Sequence, residues 1–176
     1  MARELGGKHV VVVGATGALG ARIAAHLAAG GARVSAIVRD HTRLDGASVF
    51  QYALADVTDT AAMRVAFASV ASVGPIDGVV NASGVVAFGG IGELDDATLA
   101  KLFAVNATAP IVMLRESATL IADGGFFVNI SGVVATQPVA GMAAYSASKA
   151  AAWAAMSAVA RELRRRQIDV IDARPP

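Results

Sequence analysis

A tyrosine and a lysine four residues apart are the side chains of this chain best suited to proton transfer. They lie in the segment Tyr145-Ser-Ala-Ser-Lys149. In a helix this spacing places both side chains on one face, where an ammonium group lowers the pKa of a phenol from its usual value near ~10. Such a phenol can exchange a proton with a substrate oxygen. A Tyr–Lys pair at this spacing can also be a plain exposed pair, so the neighbouring motifs decide between the two interpretations.

Further polar motifs lie close to predicted strand ends. Asn81-Ala-Ser-Gly84 ends one strand, Ser131 follows another, and Asn106 lies in the segment Val-Asn-Ala-Thr. In a doubly wound sheet the carboxyl ends of the strands border the crevice in which ligands bind. These residues therefore favour a functional role for Tyr145 and Lys149.

A glycine-rich segment, Gly14-Ala-Thr-Gly17-Ala-Leu-Gly20, joins the first predicted strand to an Ala-rich helix. Glycine permits a tight turn, a close approach of a pyrophosphate to main-chain N–H groups, and close packing of the helix on the strand. The helix N-terminus attracts the anionic phosphates. Turns need glycine in any case, but this position between strand and helix favours dinucleotide binding.

Two charged residues at the end of the second predicted strand concern the choice of nicotinamide cofactor. Asp40 lies ~20 residues past the glycine segment, a spacing that favours a ribose 2′-hydroxyl and hence NAD. Arg39 favours NADP, because a guanidinium group can bind a 2′-phosphate through two hydrogen bonds. Both can also be ordinary strand-end charges, and their types and positions alone leave the three alternatives open.

Short β-branched runs alternate with Ala-rich helical stretches along the chain. This order predicts an α/β fold, a doubly wound parallel sheet of the Rossmann type with helices on both faces. No break in composition is present, so residues 1–176 are assigned to a single domain. Strands are expected at 9–13, 33–38, 49–53, 76–81, 125–130 and 168–171, and helices near 18–29, 60–72, 95–122 and 143–166.

Composition excludes several other classes of protein. A net charge of +1 gives no general attraction to nucleic acid or an anionic membrane, and the absence of cysteine excludes disulfides, thiolate zinc sites and a cysteine nucleophile. The apolar runs are shorter than the ~18 residues needed to span a membrane. The polar N-terminus predicts no signal peptide, so a cytoplasmic location is expected. His9, His26 and His41 share no spacing, and no metal site is expected.

The chain resembles the short-chain dehydrogenase/reductase family over nearly its whole length. Each motif alone is modest, whereas the set in this order and spacing is specific. The motifs are the glycine segment Gly14–Gly20, Asp56-Val-Thr-Asp, Asn81-Ala-Ser-Gly84, Asn106, Ser131 and Tyr145-x-x-x-Lys149.

The resemblance implies an NADP(H)-dependent oxidoreductase that interconverts a small-molecule carbonyl compound and a secondary alcohol. Tyr145 would be the acid/base, and Ser131 would hydrogen-bond the substrate carbonyl or hydroxyl. Lys149 would bind the nicotinamide ribose and lower the pKa of Tyr145, and Asn106 would hold a water molecule of a proton relay. The residues implied to contact the cofactor are Gly14, Thr16, Gly17, Ala18, Leu19, Gly20, Arg39, Asp40, Asp56, Val57, Asn81, Ala82, Ser83 and Gly84, with Tyr145 and Lys149.

The family comparison also implies a cofactor preference and an assembly. Aligned on Gly31-Ala-Arg-Val34, the carboxylate of NAD-dependent members would fall at Val38, whereas Arg39 matches the basic residue of NADP-preferring members. NADP is therefore favoured, with NAD as the alternative. Homodimers or homotetramers would form through the helices that end near Ala122 and Arg166.

The chain departs from the family pattern at three places. Ala18 stands where most members have glycine, and Ser83 replaces a more frequent alanine. The sequence ends at Arg174-Pro175-Pro176, where members continue into a mobile substrate-binding segment, and we expect the full-length product to continue too. A non-catalytic dinucleotide-binding sensor is the main alternative. A sugar-nucleotide epimerase or dehydratase is disfavoured, because it needs a large C-terminal substrate domain. The substrate pocket is expected at 85–91 and 133–142, lined by apolar or small residues.

Overall fold

Six parallel strands form one sheet in the order β3-β2-β1-β4-β5-β6. The structure is a computed structural model that describes residues 4–46 and 48–176, so the first three residues of the expected polar N-terminus lie outside the described residues. This strand order is the doubly wound arrangement of the Rossmann fold, and the predicted fold class is confirmed. The strands are β1 (His9–Val13), β2 (Arg33–Val38), β3 (Gln51–Leu54), β4 (Ile76–Asn81), β5 (Ile121–Ile130) and β6 (Asp169–Ala173).

Within the described residues, five α-helices connect the strands and cover the sheet. An Asp side chain begins two of them: Asp59 accepts a hydrogen bond from Ala62 N, and Asp95 accepts one from Thr98 N. These side chains bind amide groups that have no partner within the first helical turn. The helices are α1 (Ala18–Ala29), α2 (Thr60–Ala71), α3 (Asp96–Phe103), α4 (Ala109–Ser117) and α5 (Ala143–Glu162), and a π-helical turn (Ala104–Thr108) joins α3 to α4.

The central strand β1 is buried on both faces. Val11 and Val13 face the core that contains Phe67 and Met113, whereas Val10 and Val12 face the core on the other side of the sheet. Strands covered by helices on both sides read as continuous apolar runs, as this one does. The sheet therefore has two hydrophobic cores, and its polar residues gather at the strand ends.

The helical run 96–117 is the one segment of the described chain that is long and apolar enough, by length and composition alone, to cross a membrane. From the sequence, every apolar run was expected to be too short to cross a membrane. Core helices have the same properties, and here Met113 and Leu114 pack into the core beneath the sheet. The burial of these side chains supports the interpretation as a core helix.

The largest error in the predicted elements concerns the helix expected at 95–122. The helix ends at Ser117, and β5 begins at Ile121 rather than at Gly125. Arg166, at the end of the turn that follows α5, donates hydrogen bonds to the carbonyl groups of Ala118 and Ile121. These carbonyl groups are bound by a residue more than forty positions away, which local composition does not reveal.

Candidate active site

The predicted polar residues meet at the carboxyl edge of the sheet. Asn81 at the end of β4 pairs in register with Asn129 of β5, which pairs with Asp172 of β6. The Asn81 Nδ2 donates to Asn129 Oδ1 (2.8 Å), and Asn129 Nδ2 donates to Asp172 Oδ1 (3.1 Å). A chain of side-chain hydrogen bonds thus crosses three neighbouring strands at this edge.

The glycine segment forms a tight turn against the start of α1. Gly14 has a φ of +84°, and a Cβ at this position would lie 3.0 Å from Ser83 N. A Cβ at Gly20 would overlap the carbonyl oxygen of Gly14 and lie 2.8 Å from its carbonyl carbon. Both positions therefore require glycine. Gly14 is needed for its backbone conformation, and Gly20 for the approach of the helix to the turn.

The first turn of α1 is open to an anion. Gly17 is the N-cap residue, no side chain caps the helix, and no acidic residue lies in its first turn. Amide groups at a helix N-terminus attract phosphate when no side chain competes for them. This arrangement fits the pyrophosphate of a dinucleotide, which needs main-chain donors and close backbone approach.

A cleft of about 370 Å³ runs along this edge of the sheet. Some of the residues predicted to contact the cofactor do not line this cleft. They are Asp40, Ala18, Leu19, Gly20, Asn81, Tyr145 and Lys149. Gly20 and Asn81 shape the turns beside the cleft. The predicted residues that do line the cleft are Gly14, Thr16, Gly17, Arg39, Asp56, Val57, Ala82, Ser83 and Gly84.

The two charged residues after β2 have different positions. Arg39 lines the cleft, whereas the Asp40 carboxylate accepts hydrogen bonds from Thr42 N (2.9 Å) and Thr42 Oγ1 (2.8 Å). These hydrogen bonds lower the pKa of Asp40. Asp40 therefore closes a local turn, and the guanidinium of Arg39 is the charge that reaches the cleft.

Asp56 lines the same cleft after β3. Its Oδ1 accepts hydrogen bonds from Thr58 Oγ1 (2.7 Å) and Thr58 N (2.8 Å). These bonds lower its pKa, and the positive charge of Arg39 adds to the effect. The cleft therefore holds a fixed carboxylate close to the guanidinium.

Two basic residues that line the cleft, Arg43 and Lys101, were not predicted from the sequence. Arg43 follows Arg39 by four residues, so its proximity to the second strand end was a usable signal. Lys101 comes from α3 on the far side of the cleft, and only the packing of that helix brings it there. Both add positive charge where an anionic ligand would bind.

Tyr145 lies in the first turn of α5 and is half-buried. Burial raises its pKa above the usual value. The predicted lowering by Lys149 is therefore wrong for this structure. The Lys149 Nζ lies 5.8 Å from the centre of the Tyr145 ring and donates a hydrogen bond to Ile130 O (3.1 Å), so the ammonium is directed toward β5 rather than toward the phenol.

Lys149 is itself buried, with 5% of its surface exposed. Burial lowers its pKa to about 8, and the negative charge of Asp172 opposes that effect. A Cβ at Gly84 would lie 3.2 Å from Lys149 Nζ and 3.4 Å from Asn106 Oδ1. Gly84 thus leaves the room in which Lys149 and Asn106 approach the end of β4.

Asn106 lies in the π-helical turn between α3 and α4. Its Oδ1 accepts a hydrogen bond from Val85 N (3.0 Å), and its Nδ2 donates to Val85 O (2.8 Å) and Ser148 Oγ (3.1 Å). The side chain therefore holds the segment after β4 against α5. Because both Nδ2 donors are used, a water molecule could bind this amide only by donating to the second lone pair of Oδ1.

Ser131 follows β5 and is buried. Its hydroxyl donates a hydrogen bond to Asp172 Oδ2 (2.6 Å). Asp172 was not singled out in the sequence, because its proximity to Ser131 depends on the pairing of β5 with β6. The hydroxyl proton is thus directed to a carboxylate of the protein itself.

A second cavity of about 370 Å³ opens beside Tyr145. Its walls come from 86–91, from Glu93, Leu94 and Asp95, and from 141–145. The expected contribution of 133–140 is not found, and the two carboxylates show that the wall is not wholly apolar. Tyr145 lies in this wall, so its phenol borders a space large enough for a small organic molecule.

Among residues 4–46 and 48–176, no three His, Asp or Glu side chains lie close enough to hold a metal ion. The groups present instead fit a dinucleotide: a glycine turn with close backbone approach, an uncapped helix N-terminus, and Arg39, Arg43 and Lys101 along the cleft. The second cavity lies beside this cleft, with Tyr145 in its wall.

Comparisons with known proteins point to one family. A family model described as short chain dehydrogenase matches residues 8–176. Galactitol 2-dehydrogenase (L-tagatose-forming) of Cereibacter sphaeroides is 34% identical over 170 residues, which cover 90% of this chain and 66% of that protein. L-xylulose reductase of Caenorhabditis elegans is 31% identical over 177 residues, which cover 96% and 70%. The crystal structure of a short chain dehydrogenase from Burkholderia cenocepacia J2315 in complex with NADP is 33% identical, with a TM-score of 0.91 over 98% of this chain and 75% of that one.

Proposed function

Because this chain belongs to the short-chain dehydrogenase/reductase family of oxidoreductases, we propose that it interconverts a small carbonyl compound and a secondary alcohol with NADP(H). Tyr145 is the acid/base of this reaction. The observation that carries the proposal is the position of Tyr145 in the wall of the second cavity, with the buried ammonium of Lys149 one helical turn along α5. Binding alone does not require a phenol at this position.

The raised pKa of Tyr145 suits carbonyl reduction. Because burial keeps the phenol protonated at neutral pH, the hydroxyl is ready to donate a proton to a substrate carbonyl oxygen. A bound nicotinamide supplies or accepts the hydride. In alcohol oxidation the phenol must first lose its proton, which the raised pKa of Tyr145 opposes at neutral pH.

The remaining residues position the reactants. Gly14, Gly17 and the amide groups at the start of α1 hold the pyrophosphate, and Asn106 fixes the segment after β4 against α5. Ser131 contacts the reacting substrate oxygen. The second cavity, whose wall includes Val86 and Leu94, holds the substrate.

NADP is the preferred cofactor in this proposal. Arg39 reaches the cleft, whereas Asp40 is engaged by Thr42. A guanidinium can bind a ribose 2′-phosphate that a 2′-hydroxyl cofactor lacks. The relative from Burkholderia cenocepacia, crystallised with NADP, supports this preference. An equal or higher kcat/KM with NADH than with NADPH would contradict it.

Tyr145→Phe tests the catalytic role, and the chain offers a matched control because it contains two tyrosines. NADPH oxidation is first screened with a panel of uncharged ketones and aldehydes. Tyr145→Phe should then abolish turnover while the dissociation constant for NADPH, measured by its fluorescence, stays unchanged. Tyr52→Phe removes a phenol hydroxyl from the exposed strand β3 and should leave kcat/KM unchanged.

The alternative is a dinucleotide-binding sensor without turnover. The hydrogen bond from Ser131 to Asp172 favours a sensor, because this hydroxyl is then not free to donate to a carbonyl group. A sensor would bind NADPH yet oxidise it with no member of the panel. The wild-type protein thus separates the two functions before any variant is made.

Self-association and a cytoplasmic location complete the proposal. Ile111 of α4 and Trp153 of α5 are 44% and 37% exposed, and these helices would form the contact of a homodimer or homotetramer. Sedimentation equilibrium measures the mass in solution. A monomer at micromolar concentration would refute the assembly without affecting the catalytic proposal.

A further inference from the structure

Asp172 is a carboxylate within the candidate site to which the proposed reaction gives no role. Its side chain is only 7% exposed. The Oδ1 atom accepts from Asn129 Nδ2, and the Oδ2 atom accepts from Ser131 Oγ at 2.6 Å. Burial of a carboxylate costs free energy, of which two neutral donors and nearby positive charge offset a part, so its location beside a site residue calls for a functional explanation.

One main-chain group sets the orientation of the Asn81 and Asn129 amide groups. Ser83 N–H can only donate, and it donates to Asn81 Oδ1 (3.0 Å). Asn81 must therefore present Nδ2 to Asn129, and Asn129 must present Nδ2 to Asp172. The chain ends on a carboxylate that can only accept, so the hydroxyl of Ser131 gives its proton to Asp172 as well.

We propose that Asp172 is a positioning residue that makes Ser131 a hydrogen-bond acceptor toward the substrate. Because the proton of Ser131 Oγ is donated to the carboxylate, only the lone pairs of this oxygen are available to the substrate. It therefore favours a ligand hydroxyl, which donates, over a carbonyl oxygen, which only accepts. This inference rests on the proposed function, which places Ser131 against the substrate oxygen.

Two cations face the Asp172 carboxylate. Lys149 of α5 interacts with it across the buried side of the site, and Arg174 Nε lies 3.8 Å from Oδ2 with a 42% exposed side chain. Both cations attract the carboxylate that accepts the hydrogen bond from Ser131. It also stabilises the protonated form of Lys149 against the effect of burial.

Asp172→Asn tests the direction of the hydrogen bond with almost no change in shape. The new amide must turn its oxygen to Asn129 Nδ2, so its NH₂ group faces Ser131 Oγ and donates to it. The proton of Ser131 is then free to point at the ligand. The substitution should convert Ser131 from an acceptor to a donor.

Ligand preference gives the first readout. Binding of cyclohexanol and cyclohexanone is measured by calorimetry to the NADPH-bound protein in the Tyr145→Phe background, which removes turnover and the other hydroxyl. We expect Asp172→Asn to shift the preference toward the ketone by about tenfold, which corresponds to ~1.4 kcal/mol. An unchanged ratio of the two dissociation constants would overturn the proposal.

Ser131→Ala provides the control for a purely structural effect of Asp172. In this background Asp172→Asn should no longer change the alcohol-to-ketone ratio, because the group through which it acts is gone. A persisting shift would show that Asp172 acts by another route. If Asp172→Asn folds poorly, Ser131→Ala still tests the proposal. This substitution alone should remove the alcohol preference of the Tyr145→Phe protein.

Titration of Lys149 gives a second readout that does not depend on turnover. The chain has three lysines, Lys8, Lys101 and Lys149, so [ε-¹³C]lysine labelling gives three resonances that single Lys→Arg variants assign. Asp172→Asn should lower the pKa of Lys149 below its value of about 8 and leave the other two unchanged. An unchanged Lys149 titration would contradict the coupling.

These outcomes separate the present inference from the proposed function. A wild-type protein that reduces panel ketones, with an Asp172→Asn variant unchanged in both readouts, refutes the role of Asp172 alone. A wild-type protein without turnover refutes the proposed reaction, whereas the Lys149 titration still reports on Asp172.

Discussion

Replacing Gly20 with alanine tests whether the start of α1 must press against the glycine turn. Gly20 is the third residue of α1, and a Cβ there would overlap the main-chain carbonyl of Gly14. The obstacle is backbone, which cannot rotate away as a side chain can. Such overpacking costs ~1–3 kcal/mol, and we expect the upper end, offset by ~1 kcal/mol from the better helix propensity of alanine. The net loss in the free energy of unfolding should be about 2 kcal/mol.

Gly17→Ala is the matched control in the same segment. A Cβ at Gly17 meets only Gly14 O at 3.4 Å, and its φ of −78° suits any residue. We expect a loss below about 1 kcal/mol, the ordinary difference between glycine and alanine at an N-cap. Urea and thermal denaturation without cofactor measure both variants. Gly20→Ala should melt about 4–8 °C below the wild type for its loss of ~2 kcal/mol. Equal stability of the two variants would refute the argument from close packing.

Three further predictions concern buried and charged side chains. Ser146 Oγ is buried without a hydrogen-bond partner in the described chain, so Ser146→Ala should raise the free energy of unfolding by ~1 kcal/mol, whereas Ser148→Ala, which loses bonds to Tyr145 O and Asn106, should lower it by a similar amount. Urea titration measures the free energy of unfolding of both variants. A destabilised Ser146→Ala would contradict the absence of a partner for Ser146 Oγ. Lys149→Met should stabilise the protein at pH 7 by a free energy on the order of 3 kcal/mol, because the folded-state pKa of about 8 lies below the unfolded value of 10.5. The destabilisation by the buried Lys149 ammonium is complete below pH 8 and is lost as the pH rises toward 10.5. The difference in the free energy of unfolding between variant and wild type should therefore shrink over that window, and a constant difference would refute this prediction. Arg39→Gln should raise the dissociation constant for NADPH at least tenfold and change that for NADH by less than about twofold, with Arg22→Gln on α1 as a control outside the cleft. Equal losses of affinity for both cofactors would show that Arg39 does not bind the 2′-phosphate.

Local sequence patterns predicted the elements that depend on local chemistry. The run of valines in β1 and the glycine turn were recognised because each pattern has a direct physical cause in neighbouring residues. The end of α4 was missed because Arg166 binds the carbonyl group of Ala118 from another part of the chain. Helix and strand boundaries set by such distant donors have no local pattern.

The same distinction applies to the candidate site. The spacing of Tyr145 and Lys149 follows from helix geometry and could be predicted. The effect of burial on their pKa values, which raises one and lowers the other, depends on the packing of α5 against the sheet. Asp172 was missed because its contact with Ser131 spans 41 residues and depends on strand register. Sequence spacing indicates chemistry within one element, whereas chemistry between elements requires the fold.

The chain of hydrogen bonds from Asn81 to Asp172 has a consequence for biosynthesis. Its side chains come from three strands separated by 48 and 43 residues, so the chain cannot form until β6 has left the ribosome and docked at the edge of the sheet. At ~5–20 residues per second, a nascent polypeptide waits for about 2–9 s between the synthesis of Asn129 and that of Asp172. During this interval β5 has an open edge and its polar residues are hydrated, which exposes the emerging protein to wrong strand pairing. Acquisition of NADPH fluorescence by ribosome-bound chains of increasing length would time the docking of the last strand.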